Sequence, residues 1–171
     1  MDKDLREVVT DFLVNTIESD REEFGNLPVC PFARSERINK KLMLGVFDVA
    51  VHEISDLAKE MEDSGYESAL FVVKENDINV EIEGDKGTVK FANFLKKQLK
   101  ENNKGEYTVI CFNPRDSVAA GEYNVRSEFP FLMINVAKTE VLHKSQKHLQ
   151  KTNYYDKFSK SYKKMLGITD L

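Results

Sequence analysis

Leu42-Met43-Leu44-Gly45-Val46-Phe47 and Ser68-Ala69-Leu70-Phe71-Val72-Val73 bracket the segment that decides the fold. Both are short apolar runs of the kind that form strands buried inside a sheet. Between them Val51, Ile54, Leu57, Ala58 and Met61 recur at helical spacing, with Asp48 as the expected cap and Gly65 as the stop. A strand, a helix and a strand in that order predict a parallel pair joined by a right-handed crossover.

Outward from this unit the alternation continues. A helix is expected from about Thr88 to Asn102, burying Val89, Phe91, Ala92, Phe94, Leu95 and Leu99. It leads to a third strand, Tyr107-Thr108-Val109-Ile110-Cys111-Phe112, which Asn113-Pro114 stops. Phe131 to Val136 reads as a fourth strand. No helix separates the last two strands, so antiparallel pairing is expected there. Ile78 to Ile82 alternates and reads as an edge strand. Helices near 138–149 and 154–166 finish the chain. At the other end Leu5, Val8, Val9, Phe12, Leu13 and Ile17 mark an amphipathic helix with an acidic start. Residues 19–40 lack a period and hold Gly25, Pro28 and Pro31, so they read as a long ordered loop. The expected fold is α/β, with α+β as the alternative. It is a single-domain sandwich over residues 1–171, a mixed sheet of about four strands with flanking helices.

The bulk composition narrows the function classes. The net charge of −4, from 29 acidic and 25 basic residues, argues against nucleic acid as a partner. No apolar run is long enough to span a bilayer, so no membrane partner is expected. The chain opens Met-Asp-Lys-Asp before turning amphipathic, which does not read as a signal peptide. Two cysteines far apart in sequence make no disulfide framework, and reduced thiols in a cytoplasmic protein are the expectation. No Walker loop, G-x-G-x-x-G, G-x-S-x-G or C-x-x-C is present.

Chemistry concentrates in Leu27-Pro28-Val29-Cys30-Pro31-Phe32-Ala33-Arg34. Pro31 biases Cys30 away from helical geometry, which holds the thiol at a bend. Arg34 and Arg37 follow closely, and nearby cations lower a thiol's pKa. Such a thiolate suits nucleophilic or redox chemistry. It also suits axial ligation of haem iron, with Arg34 and Arg37 on the propionates. Against both stands the plainer reading, a small apolar residue packed beside Val29 and Phe32.

The other chemistry-bearing residues are sparser. Cys111 sits mid-strand and reads as core. His143 and His148 are five apart, on different helix faces, so they do not make the usual metal pair. His143 follows the last strand and is the histidine best placed as a distal or axial partner. Asn113, Asn124, Arg126 and Ser127 lie in loops at strand ends, where α/β folds place ligands. Ordinary turn chemistry accounts for the same residues. The aromatic stripe Tyr154, Tyr155, Phe158 and Tyr162 reads as a packing face.

Val29-Cys30-Pro31-Phe32-Ala33, Phe112-Asn113-Pro114 and Tyr123-Asn124-Val125-Arg126-Ser127-Glu128-Phe129-Pro130 together resemble the small bacterial Cys-Pro-Phe-Ala proteins of unknown function. The chain departs from that pattern at Asn113, where the family carries histidine. More loosely, the Cys-Pro-Phe segment is similar to the YqcI/YcgG-type proteins, some of which are haem-dependent N-oxygenases. That resemblance implies haem ligated by Cys30 and oxidation of a nitrogen-containing small molecule, with a separate electron donor. Cys30 would then be catalytic, Arg34, Arg37 and His143 cofactor-binding, and Arg126 and Asn113 substrate-facing. Two alternatives remain open: a metal-free Cys30 redox or nucleophilic enzyme, and a non-catalytic ligand-binding or accessory module.

Overall fold

A computed structural model of the chain describes residues 3–49, 51–74, 84–102, 106–115, 119–120, 123–124, 131–160, 163 and 168. The two opening runs form β3 (Leu42–Phe47) and β4 (Ser68–Val73), and they pair in parallel from Leu42 opposite Ser68 to Phe47 opposite Val73. Helix α3 (Ile54–Asp63) joins them. β5 (Tyr107–Phe112) and β8 (Met133–Lys138) pair antiparallel, and β8 also pairs antiparallel with β4. The sheet order is therefore β3-β4-β8-β5, a mixed four-stranded sheet as expected.

Alternation along each strand feeds two cores. Ala69, Phe71 and Val73 join Phe47, Val109, Ile134 and Val136 on one face, beneath α3 and α4 (Gly84–Asn102). Leu70 and Val72 join Met133 on the other. That second face is covered by α1 (Lys3–Phe12) and its π-helical continuation Leu13–Ile17, together with the aromatic tail. Every residue of β4 is buried, as a central strand between two helical layers must be. Among the described residues no helix is long and apolar enough to cross a membrane.

Five local expectations need correcting. Val89 and Phe94 of α4 are 44% and 49% exposed rather than buried. Residues 19–40 are not one loop. They hold the short antiparallel pair β1 (Asp20–Arg21) and β2 (Leu27–Pro28), a 3-10 turn between them, and α2 (Pro31–Ile38). Asp48 does not cap α3. Its carboxylate pairs with Lys74 at 3.1 Å, tying the ends of β3 and β4, and the helix starts only at Ile54. The last strand lies two residues later than expected, at Met133–Lys138, running directly into α5 (Thr139–Leu149). The expected helix at 154–166 does not start at 154. Residues 151–157 are turns, and Phe158 bridges to Ala120 of β6 (Ala119–Ala120), which pairs with β7 (Tyr123–Asn124). Tertiary contacts override helical spacing there. Tyr154, Tyr155 and Phe158 pack against one another edge-on or tilted, and Tyr154 and Phe158 also meet Phe24, while Thr152 Oγ1 accepts from the Tyr154 amide. The expected edge strand at 78–82 lies outside the described residues.

Candidate functional site

The face of the sheet beneath α1 is not completely filled. A cavity of about 120 Å³ lies between the strands and the segments that cover them. Its floor crosses all four strands through Leu42, Ser68, Leu70, Asn135, Ile110 and Phe112. Its roof is the π-helical turn, through Leu13 and Ile17, and the run Val29-Cys30-Pro31-Phe32-Ala33. Leu142, Ser145, Gln146 and Leu149 of α5 and the rings of Tyr154 and Tyr155 close the side. A π-helical turn beside a cavity is a recurrent feature of functional sites.

The local chemistry explains how the Cys-Pro segment is held. Cys30 is extended (φ −138°, ψ 91°), as a residue before proline prefers, and it is the N-cap of α2 with Pro31 at the first helical position. Its sulfur accepts from the Ala33 amide at 3.4 Å, doing the work usually given to a serine hydroxyl. Its own amide donates to the Ile17 carbonyl at 3.0 Å. The Tyr154 hydroxyl donates to the Val29 carbonyl, pinning the tail to the same segment.

The electrostatics run opposite to the expected activation. Burial pushes the Cys30 thiol above its ordinary value; the Ala33 and Phe32 amides offset part of this, and the Glu18 carboxylate adds to it. Arg37 is not directed at the sulfur. It forms a two-pronged pair with Glu18, at 2.5 Å from Nε to Oε1 and 2.7 Å from Nη2 to Oε2. Arg34 is exposed and does not line the cavity. The thiol is thus neutral at ordinary pH, which is poorly suited to a nucleophile.

The remaining candidates are dispersed. Asn113 is buried on the α4 side, where its Nδ2 donates to Thr88 Oγ1 at 3.1 Å and its Oδ1 accepts from the Arg115 amide. It joins β5 to α4 and does not line the cavity. His143 is exposed beside Glu106, Lys138 and Lys147, on another side of α5 from the cavity-lining residues. Arg126 and Ser127 lie outside the described residues. Cys111 is core, as expected. Among the described residues no group of three or more His, Cys, Asp or Glu side chains is placed to hold a metal ion.

Haem is the cofactor that the Cys-Pro-Phe resemblance implies, and the cavity does not fit it. The volume is below the roughly 300–1,000 Å³ of ordinary cofactor and ligand pockets. Arg37 is engaged elsewhere, Arg34 faces outward, and the thiol is held protonated.

Sequence reasoning missed the polar floor. Asn135 Nδ2 donates to the Ala69 carbonyl at 3.0 Å, which fixes the amide's orientation. Among the described residues its Oδ1 has no partner. Ser68 Oγ donates to Glu36 Oε2 at 3.4 Å behind the cavity wall. The available signal was the single amide interrupting the apolar run Met133-Ile134-Asn135-Val136.

Fold and site together define a class: an α/β sandwich domain with an internal, mainly apolar pocket on one face of a mixed sheet. No family model, no curated protein and no solved structure matches the chain.

Proposed function

We propose that this chain binds a small, mainly apolar molecule carrying one N–H or O–H donor in the cavity between the sheet and α2. The observation that carries this reading is Asn135. A lone amide stands in an apolar floor, its nitrogen anchored on Ala69 and its oxygen left to accept. Such a site holds a ligand by burial and orients it by one hydrogen bond. The volume suits a single-ring molecule, since an apolar protein cavity of about 150 Å³ takes up benzene. Cys30 and Ala33 act as wall residues in this reading, the binding-module alternative to haem-thiolate catalysis.

Phenol, aniline and benzene serve as probes, with thermal shift and ligand-observed NMR as readouts. Phenol and aniline should raise the melting temperature, because a ligand that binds only the folded state stabilises it. Asn135→Ala should weaken phenol and aniline several-fold while leaving benzene nearly unchanged. Loss of all three alike, or of none, would falsify the assigned role of Asn135. The absence of binding by any probe at millimolar concentration overturns the reading itself. A parallel haem titration keeps the catalytic alternative on trial: a Soret band that vanishes in Cys30→Ala would replace the present proposal with haem-thiolate chemistry.

A further inference from the structure

We infer, on the binding reading above, that the ligand is a small organic acid. Its apolar, donor-bearing part fills the cavity, and its carboxylate lies outside in a cationic groove between α2 and α5. The cavity of about 120 Å³ is smaller than ordinary ligand sites, but it does not stand alone. A groove of about 620 Å³ runs beside it, between the start of α2 and one flank of α5. Pro31, Phe32, Ser145 and Leu149 border both spaces. On α5 the cavity takes Leu142, Ser145, Gln146 and Leu149, and the groove takes the next face round the helix.

The groove carries one sign of charge. Lys144, Lys147, His148 and Lys151 line it, and no carboxylate does. All four are exposed, and among the described residues none is in an ion pair, whereas Lys41, Lys74, Lys97 and Lys157 each have one. Glu106 and Glu140 lie round the far flank of α5, where neither pairs with Lys144 or Lys147. The chain as a whole is acidic, with 29 acidic and 25 basic residues, so this groove runs against its average. A cleft lined by one sign of charge concentrates the opposite ion. Helix-end chemistry does not account for the lysines. The Gln146, His148 and Leu149 carbonyls already accept from the amides of Gln150, Lys151 and Thr152, and Lys144 lies in the middle of α5.

Ser145 stands where the two spaces meet. It is half-buried, lines both, and among the described residues its hydroxyl has no partner. A hydroxyl on that boundary can donate to an acid whose apolar part lies inside. Asn135 on the floor accepts from the ligand's donor at the inner end, and the lysines meet its charge at the outer end. A larger polyanion would meet the same lysines, but it would bind without regard to the cavity.

Three probes share a phenol ring and differ in the charge of the tail: para-ethylphenol is neutral, para-hydroxyphenylpropionate anionic and tyramine cationic. Ligand-observed NMR titrations at low ionic strength read their affinities. The anion should bind about fivefold more tightly than the neutral probe, and the cation more weakly, a margin of the size that exposed charge pairs supply. Added salt should erase the margin. Lys144→Gln combined with Lys151→Gln should bring the three affinities together, while Lys97→Gln on α4 should leave them apart. Acetate, which has the charge without the ring, should not displace the anionic probe. If the double variant loses its circular dichroism, the salt dependence of the unaltered chain decides alone. An anion that binds no more tightly than para-ethylphenol, a margin that survives salt or the double variant, or displacement by acetate overturns the acid and leaves the pocket standing. Absence of binding by both phenol and para-ethylphenol removes the pocket itself, and the acid with it.

Discussion

The two faces of one sheet are packed by different rules. Beneath α3 and α4, Phe47, Ile54, Met61, Phe71, Phe91, Leu95 and Ile134 are almost wholly removed from solvent. Beneath α1, α2 and α5 the same four strands border a cavity of about 120 Å³. Topology is not the cause, because each strand contributes alternate residues to both faces. Side-chain volume is: Ala69, Phe71 and Val73 point one way, and Ser68, Leu70 and Val72 the other. Small or polar residues at Cys30, Ala33, Ser68, Asn135 and Ser145 leave the second face hollow. Protein interiors are otherwise close-packed. Under the binding proposal, this hollow is the space the ligand fills.

The largest effect should come from breaking the dense face. Phe71→Ala removes a ring at the centre of the α3/α4 core and should cost about 3–5 kcal/mol by urea denaturation. Next is Gly45→Ala. A Cβ at this position would stand 2.7 Å from Phe71 Cδ1 and 2.8 Å from its Cε1. Phe71 occupies the space that glycine leaves, so the added methyl should cost about 1–3 kcal/mol through overpacking. The two sites touch, so their effects should not add. Gly45→Ala should cost less in a Phe71→Leu background, and equal cost in both backgrounds would remove the steric account.

On the hollow face the same kind of change should be cheap. Ala33→Leu adds volume from the roof into the cavity and should shift stability by less than about 1.5 kcal/mol. It should also abolish binding of phenol and aniline. If Ala33→Leu instead costs as much as Gly45→Ala, the two faces are equally tight and the contrast between them fails.

Regular strands were easy to read from the sequence and the cavity was not. β3, β4 and β5 stand where the apolar runs placed them, because a strand buried on both faces needs little beyond hydrophobicity and length. Cys30 was legible as a residue set apart by two prolines, and it does border the site. Its electrostatic setting was not legible. Glu18 lies far from Arg37 in sequence, and only folding pairs them and withdraws that arginine from the sulfur. Asn113 illustrates the opposite error. Its place at a strand end suggested a ligand, yet Thr88 on α4 takes its amide. The tail failed for a related reason: helical spacing in Tyr154, Tyr155 and Phe158 could not register that Phe24 and the Val29 carbonyl compete for the same rings.

The smallest effect sharpens the comparison through pH. Two protonatable groups on the hollow side, Cys30 and Glu36, are both pushed upward, chiefly by burial. The negative charge of Glu67 adds to the shift at Glu36, while Ser68 and Lys41 partly oppose it. Raising an acid's pKa in the folded state means that the folded state holds the proton more tightly. The stabilisation is then fully present below the unfolded pKa and is lost as pH rises through the folded one. For Glu36 stability should decline as pH rises out of the acid range, the reverse of a carboxylate held by a salt bridge. Glu36→Gln should remove that decline and raise stability slightly at neutral pH. For Cys30 a second decline should begin only above the ordinary thiol value of about 8.5, and Cys30→Ala should erase it without altering the first. Denaturation midpoints from pH 4 to 10 on the three chains read both windows. A Cys30 thiol alkylated at the rate of a free cysteine at neutral pH would mean that the sulfur is solvated and ionisable. The hollow face would then be open to water, and its roof would no longer exclude the solvent that an apolar ligand must displace.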